Sequence, residues 1–450
     1  MTTIARSLRR VGIAAAALAC PLEASGGGLG AGLAFEAELE MEAAATVRGG
    51  VRRGPAGMVR GGFALTFDGS DAEAPAWASP WQARASLYAI AGRQLTPTLS
   101  GSLAPVSGIE ALPAVRLFEL WAERDIGIGS LRLGQLAADS EFATSWAGGQ
   151  MVSGTFGWFS GLAGALPSGG PAFPLAAPGL RLALGDPDGT GGGTEPGPAL
   201  GLRLALFAGD PGGRAGAGTD PQRHNRHGLL FPTAGGRLLL AEAVTGARTD
   251  DGDAPRDWAL KLGAFIHSAR FDDQRFDGDG LSLGDPASSG EARRRRGNHG
   301  AYAIAEGVLW RGADRSPRLV GAARGALFPD DRNAIAAYAD ATLVLLAPLS
   351  DRPGDRLTLG AAWSRIGGAA RGRDADAARL GGTGEPGRSR EILVELGYGA
   401  RFDVAGRAVL VQPFLQWIGR PAAGAGQDAL DGRPARDAVV TGIRLAATLF

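Results

Sequence analysis

Apolar and polar residues alternate with a period of two in several short segments of this chain. In residues 389–400, Ile392 and Val394 fall on one side, whereas Glu391 and Glu395 fall on the other. The same alternation recurs in residues 199–207, 258–267 and 355–364. Because successive side chains of a β-strand point to opposite faces, each segment is predicted to be a strand with one apolar face and one polar or small face.

About sixteen segments have this character, and clusters of Gly, Pro, Asp and Ser separate them as turns and loops. The predicted strands are residues 31–42, 57–68, 81–92, 116–126, 129–138, 179–185, 198–208, 236–247, 258–268, 297–310, 317–327, 335–347, 355–366, 389–402, 408–418 and 437–449. The predicted long loops are residues 186–198, 209–226, 272–298 and 369–388. Short and long connections roughly alternate, which is typical of an up-and-down meander.

Two folds place such strands differently. In a soluble β-sandwich the apolar faces meet in a core, whereas in a transmembrane barrel they contact lipid and the other face lines a wet lumen. Glutamate, lysine, arginine and glycine recur on the polar face, which favours the lumen. Trp310, Trp363, Tyr398 and Trp417 lie near predicted strand ends, where aromatic girdles form at membrane interfaces. We therefore predict an all-β fold, a transmembrane antiparallel β-barrel of about 16 strands.

The N-terminus indicates export. Arg9 and Arg10 precede a short apolar stretch, and small residues follow it near Ala24. This order is typical of a cleaved secretory signal peptide, and the stretch is too short to span a membrane as a helix. We predict a signal peptide at residues 1–25 and one barrel domain at residues 26–450.

Composition narrows the range of partners and chemistries. Lys plus Arg and Asp plus Glu both number 46, and zero net charge argues against a nucleic-acid partner. A single cysteine excludes a disulfide scaffold or a thiolate metal cluster. The sequence contains no hydrolase elbow, zinc-protease motif or phosphate-binding loop. We predict no enzymatic activity, no cofactor and no metal site.

One stretch breaks the strand pattern. After Asp139 the alternation stops for about forty residues, as far as Pro178, and a structureless stretch of that length usually has a function. In a barrel we expect this constriction segment, about residues 139–178, to fold inward and narrow the lumen. Just before it, Glu119, Trp121 and Glu123 share one face in strand register. Carboxylates accept hydrogen bonds from sugar hydroxyls, and an aromatic ring packs on the apolar face of a sugar.

Nine runs in the chain resemble the carbohydrate-selective porins of the OprB type, from Gram-negative outer membranes. They are RLFELWAE at 116–123, LAADSEFATS at 136–145, the segment from GTFG at 154–157 through LPSGGPAFPLAAPGLRL at 166–182, FAGDPGG at 207–213, LGAFIHSARFDDQRFD at 262–277, LSLGDPASSG at 281–290, GNHGAYAIAE at 297–306, PDDRN at 329–333 and VQPFLQWI at 411–418. The resemblance implies a sixteen-stranded barrel with an inward loop, which passes sugars by passive diffusion. His299 and Phe414 depart from the family pattern and bear on sugar preference.

Strand parity and the resemblance together predict the residues that line or constrict the pore. They are Glu42, Glu119, Trp121, Glu123, Arg132, Asp139, Glu141, Arg181, Arg203, Lys261 and Glu395. The expected partners are neutral sugars, outer-membrane lipid and the barrel-assembly machinery, for which Phe450 is the recognition mark. Lipid-facing strands allow either a monomer or a homotrimer.

Two other functions remain open from the sequence. A general, unselective porin has the same strand pattern. A secreted β-rich sugar-binding protein or glycosidase requires convergent side chains in a cleft, such as two carboxylates, which strand parity does not reveal.

Overall fold

A computed structural model describes most of the chain. The described residues are 28–30, 32–71, 74–79, 81–185, 187, 199–214, 218–247, 255–314, 316–349, 352–381, 387–427, 429 and 433–449. The predicted signal peptide at residues 1–25 and the terminal Phe450 lie outside these ranges.

Sixteen antiparallel strands form a closed barrel within the described part of the chain. Each strand pairs with the next along the sequence, and the last pairs with the first, as in the register Ala447↔Leu39. A short strand, β1 (Gly28–Gly30), adds to the start of β2. The barrel strands are β2 (Leu33–Arg48), β3 (Gly54–Asp68), β4 (Trp81–Gly92), β5 (Ala114–Asp125), β6 (Gly129–Leu136), β7 (Ala177–Gly185), β8 (Ala199–Ala208), β9 (Arg237–Ala247), β10 (Trp258–Asp277), β11 (Ala292–Arg311), β12 (Pro317–Leu327), β13 (Ile335–Leu346), β14 (Arg356–Ile366), β15 (Arg390–Val404), β16 (Arg407–Gly419) and β17 (Ala438–Thr448).

The predicted fold class is confirmed, because each predicted strand overlaps one barrel strand. Two predicted loops contain regular structure instead. Much of 272–298 extends the β10–β11 hairpin, since Arg294 and Arg295 form ion pairs across it with Asp272 and Asp273. The charged residues that predicted a loop instead form ion pairs between neighbouring strands.

Most of the predicted loop 369–388 that the structure describes is helical. The helix is Gly368–Leu380, and it contacts β10. Helices elsewhere are short: Ala76–Ala78, Thr96–Ser100, Gly148–Gln150, Gly154–Phe156, Ser160–Ala165, Pro167–Gly169, Pro221–His224 and Pro421–Gly424. No helix among the described residues has the length and apolar content needed to cross a membrane.

The two rims of the barrel differ in the length of their connections. Residues 93–113, 137–176 and 367–389 join strands at one rim, whereas 126–128 and 405–406 are tight turns at the other. Short periplasmic turns and longer extracellular loops are typical of outer-membrane barrels. The rim with the long connections is therefore the extracellular rim.

Alternation sorts the strand residues into an outer and an inner face. On β10, Leu260, Leu262 and Ile266 are exposed outward, whereas Lys261 and Phe265 are buried inside. The outward aromatics Trp310 and Trp258 lie at the periplasmic ends of their strands, and Trp363 and Trp417 lie at the extracellular ends. These positions match two interface girdles around a lipid-facing band.

A β-bulge in β5 resets this alternation. Ser86 pairs with Glu119 and Leu87 pairs with Leu117, so Phe118 is an extra residue in the register. Both Phe118 and Glu119 are buried. The inward-facing residues of β5 are therefore even-numbered before the bulge and odd-numbered after it, because a bulge inserts one extra residue into the strand.

Candidate functional site

Residues 137–176, called the inner segment below, enter the barrel after β6 and fill part of its lumen. Phe142, Phe156, Phe159 and Leu162 of this segment are fully buried and belong to one apolar cluster. The cluster also contains inward-facing residues of the wall, among them Tyr302 and Tyr338, and Phe159 stacks on Tyr338 with ring centroids 5.0 Å apart. The segment is thus packed against the wall rather than free in the lumen.

Carboxylates of the β9–β11 wall hold the first part of the inner segment through its backbone. Glu242 accepts a hydrogen bond from Ala143 N at 2.9 Å. Glu306 accepts one from Trp146 N at 2.7 Å and forms an ion pair with Lys261 at 3.1 Å. Because these carboxylates are almost completely buried, each needs such partners.

A buried ion pair on β12 and β13 holds the middle of the segment. The Arg324 guanidinium lies 2.7 Å from the Asp340 carboxylate, and both side chains are 1% exposed. Arg324 also donates to three carbonyl oxygens of the segment, those of Ala143 at 3.0 Å, Thr155 at 2.9 Å and Gly157 at 2.7 Å. One guanidinium therefore connects two strands with three points of the segment.

A third set of contacts comes from β15 and β17. Glu395 accepts hydrogen bonds from the backbone N–H groups of Val152 at 2.6 Å and Ser153 at 2.8 Å. Arg444 donates to the carbonyls of Met151 at 3.1 Å and Val152 at 3.0 Å. The segment is thus tied to the β9–β17 side of the barrel.

A second inward connection, residues 93–113, covers the extracellular part of the same side. Glu391 accepts from the backbone of Leu103 and Ala104 at 2.9 Å. Gln416 donates to the carbonyl of Val106 at 2.8 Å. The inner polar residues of β15 and β16 are therefore occupied by protein groups.

The open lumen runs along the opposite wall, β2 to β7. The partly exposed inward side chains there include Glu38 at 49%, Arg84 at 28% and Arg132 at 17%. On the β9–β16 wall, by contrast, Glu242, Thr358, Glu395 and Gln416 are 0% exposed, among other inward polar residues. The most exposed of these inward charged side chains therefore lie on the β2–β7 side.

Four glutamates form a row on the inner face of β2, which we call the acidic row. They are Glu36, Glu38, Glu40 and Glu42. Alternate residues of a strand are roughly 7 Å apart, so the row extends from near the periplasmic end to the middle of the barrel.

Arginines of three neighbouring strands face the acidic row. Arg84 pairs with Glu36 at 3.0 Å. Arg60 pairs with Glu38 at 3.1 Å and with Glu40 at 2.9 Å. Arg444, on the other side, lies 3.0 Å from Glu40 and 2.9 Å from Glu42.

Two arginines and two glutamates form a second group, the charge cluster, in which β5, β6 and β7 supply Glu123, Arg132 and Arg181 and the inner segment supplies Glu141. Arg181 lies 2.8 Å from Glu141 and 3.1 Å from Glu123. Arg132 lies 2.5 Å from Glu123 and 3.0 Å from Glu141, and its guanidinium is 3.8 Å from the centre of the Trp121 ring. Each carboxylate is shared by both arginines, which fixes all four side chains and leaves the cluster electrically neutral.

Asp139, at the start of the inner segment, is set among other acidic and basic groups. It accepts a hydrogen bond from Phe173 N at 2.7 Å. Burial away from water raises the pKa of Asp139 to about 7, and the neighbouring Glu119 carboxylate adds to this rise. Asp139 therefore changes its charge near neutral pH.

Seven of the eleven predicted residues are brought together on the open side, and Glu42 lies at the inner end of the acidic row. The seven are Glu119, Trp121, Glu123, Arg132, Asp139, Glu141 and Arg181. Arg203, Lys261 and Glu395 lie instead beneath the inner segment. There Arg203 pairs with Glu242 at 3.3 Å, and Lys261 donates to the Thr144 carbonyl at 2.8 Å.

Strand alternation also indicates inward-facing residues that the predicted set of pore residues did not include. Glu36, Glu38 and Glu40 share the face of Glu42 in the predicted strand 31–42, so the alternation already pointed to a row. Their partners Arg60 and Arg84 lie in other predicted strands, and only the register of the sheet brings them opposite.

Family and fold comparisons agree with this architecture. Residues 60–449 match the model of the carbohydrate-selective porin, OprB family. The high-pH structure of Pseudomonas putida OprB is similar, with a TM-score of 0.75 and 17% identity over 93% of this chain and 94% of that chain. The low-pH structure of the same protein has a TM-score of 0.50 and 12% identity, with 93% of each chain covered. No curated protein matches the chain.

The structural similarities show the fold, and the family match extends from within β3 through all of β17. The chain belongs to the carbohydrate-selective porin, OprB family, whose members are sugar channels of the Gram-negative outer membrane.

Proposed function

We propose that neutral sugars diffuse passively along the β2–β7 wall of this outer-membrane porin, between the acidic row and the charge cluster. The observation that supports this path is the unequal filling of the lumen. The inner segment and residues 93–113 pack on β9–β17 and, near the extracellular rim, on β3–β5, whereas partly exposed charged side chains remain elsewhere on β2–β7.

The charges on this wall suit a neutral, hydroxyl-rich solute. Carboxylates accept hydrogen bonds from sugar hydroxyls and guanidinium groups donate them. Because most of these charges are already paired at 2.5–3.1 Å, a sugar replaces water rather than an ionic partner. Binding is then favourable enough for entry and weak enough for exit, as conduction requires.

Trp121 provides the apolar component of the path. Its ring is partly buried, and Arg132 covers it at 3.8 Å from the ring centre. Tyr88 and Phe173 form a second aromatic group beside Arg60, whose guanidinium lies 4.7 Å from the Tyr88 ring centre. A sugar can therefore pack its apolar face on an aromatic ring while its hydroxyl groups form hydrogen bonds with the neighbouring charged groups.

The same proposal assigns the residues beneath the inner segment a positioning role. Arg203, Lys261 and Glu395 hold the segment against the wall and so set the width of the path. We further propose that residues 1–25 are a cleaved signal peptide and that Phe450 directs assembly, and the lipid-facing strands allow either a monomer or a homotrimer. We propose no catalytic step, because the family whose model the chain matches is one of porins.

Swelling of proteoliposomes tests this function. Vesicles that contain the purified protein are diluted into isotonic glucose, or into a neutral amide or polyol of similar size that is not a sugar. We expect faster swelling in glucose, and Glu38→Gln is expected to slow it whereas the control Glu291→Gln, at the exposed hairpin, is not. Equal rates for sugars and other solutes indicate a general porin, and chemically altered sugar indicates an enzyme.

A further inference from the structure

The outer surface of the β9–β11 wall changes abruptly from apolar to basic near the extracellular rim. Ile266 is 62% exposed and Leu239, opposite it on β9, is 44% exposed. Beyond this row a register shift follows, and then Arg270 on β10 lies directly opposite Arg296 on β11. Both arginines are exposed, and they form the first arginine pair.

A second arginine pair occurs at the same rim on β14 and β15. Arg365 lies directly opposite Arg390, and both are exposed. The preceding row on the outer face is Trp363 opposite Ile392. At both places a large apolar residue of the outer face precedes an arginine of the pair along the strand. Ile266 stands four residues before Arg270, with Leu239 opposite it on β9 and His299 opposite it on β11, and Trp363 stands two residues before Arg365.

Like charges directly opposite on neighbouring strands destabilise a sheet, so such pairs need an explanation. Among the residues that the structure describes, no carboxylate lies within ion-pair distance of Arg270, Arg296, Arg365 or Arg390. Other cross-strand arginines do have such a partner, as Arg294 has in Asp272.

Partly exposed arginines at the opposite rim also have acidic partners. Arg311 pairs with Asp257, and Arg318 pairs with Asp314 at 3.2 Å. The two arginine pairs thus combine repulsion between their members with the absence of a balancing group. An anion between the two guanidinium groups removes both penalties.

We propose that each arginine pair binds a phosphate group of an outer-leaflet lipid. Guanidinium groups bind phosphate through parallel hydrogen bonds in a planar fork, and two of them can approach one phosphate from two strands. The adjoining rows Ile266–Leu239 and Trp363–Ile392 then contact the acyl chains of the same lipid. This continuity with the lipid-facing band favours a lipid over a soluble anion.

Native mass spectrometry of the purified, folded protein tests the proposal. The probe is lipid A that carries both phosphates, compared with the same lipid without phosphates. We expect wild-type protein to retain the phosphorylated lipid at two sites. Arg270→Gln with Arg296→Gln is expected to weaken one site about tenfold, and Arg365→Gln with Arg390→Gln the other, because charge-assisted hydrogen bonds are lost.

Two controls separate this role from general electrostatics. Arg311→Gln with Arg318→Gln removes the same charge from the periplasmic rim and is expected to leave binding unchanged, and all variants should retain the barrel's heat-modifiable gel migration and its sugar flux. The proposal is overturned if a variant that combines all four extracellular Arg→Gln substitutions binds phosphorylated lipid as wild type does, or if the periplasmic control loses as much binding. Equal binding of the dephosphorylated lipid, or complete displacement of the lipid by inorganic phosphate, also overturns it.

Discussion

Replacement of Arg324 by methionine should loosen the inner segment without unfolding the barrel. The substitution leaves the Asp340 carboxylate, 1% exposed, without its ionic partner, and three carbonyls of the segment lose a donor. Breaking a buried ion pair by removal of one partner costs about 3–5 kcal/mol. Since the contacts of Arg324 lie on the segment, we expect this loss mainly in the free energy of local opening.

Hydrogen–deuterium exchange measures that opening directly. Amides of residues 143–157 should exchange at least about a hundredfold faster in Arg324→Met, because about 3 kcal/mol is more than two powers of ten. Arg318→Met, on the same strand, removes an exposed pair with Asp314 worth about 0–1 kcal/mol and should change these amides little. Arg324→Met with Asp340→Leu should recover part of the protection, since the lone charge is gone.

Equal exchange in Arg324→Met and the Arg318 control would refute the assignment of Arg324 as an anchor of the segment. Uniformly faster exchange in all strands would instead assign its contribution to the barrel as a whole.

Three further predictions concern the open wall. Trp121→Ala should weaken sugar block of the ion current about three- to tenfold, and an unchanged block would place the ring outside the path. Glu36→Gln with Glu38→Gln removes two partly exposed carboxylates and should move the reversal potential in a salt gradient toward anion selectivity; no movement would contradict an acidic row in the lumen. Burial raises the pKa of Asp139 to about 7. Its contribution to the stability of the packed inner segment is therefore complete below the ordinary carboxyl pKa of about 4 and is lost as the pH rises through about 7. Protection factors of the segment, which are corrected for the intrinsic rise of amide exchange with pH, should therefore fall more from pH 5 to pH 8 in wild type than in Asp139→Asn.

Period-two alternation was sufficient for the strands because lipid on one side and water or packed protein on the other impose it on every strand. The alternation did not reveal the strand residues that lie outside this lipid-facing band. The end of the β10–β11 hairpin lies beyond the apolar band, so Asp272, Asp273, Arg294 and Arg295 follow ion pairing instead of alternation. The bulge at Phe118 was not predictable from β5 alone, because it depends on how β5 pairs with β4.

The candidate site was predictable to the extent that a residue's face decides its role. Glu123 and Arg132 face inward by parity, and their contact at 2.5 Å follows from adjacent strands. Strand parity does not reveal which wall of the barrel stays uncovered, because that depends on how the inner segment packs. Arg203 and Glu395 therefore have the same parity signal as Arg132, although the segment covers them.

The central claim is that sugars pass through this barrel and bind weakly within it. Ion conductance of the purified protein in a planar bilayer, measured as glucose is added, tests that claim most directly. We predict a saturable fall in conductance with a midpoint on the order of millimolar, as weak binding to a few hydrogen-bonding groups implies. Conductance that stays constant at every glucose concentration would contradict the account.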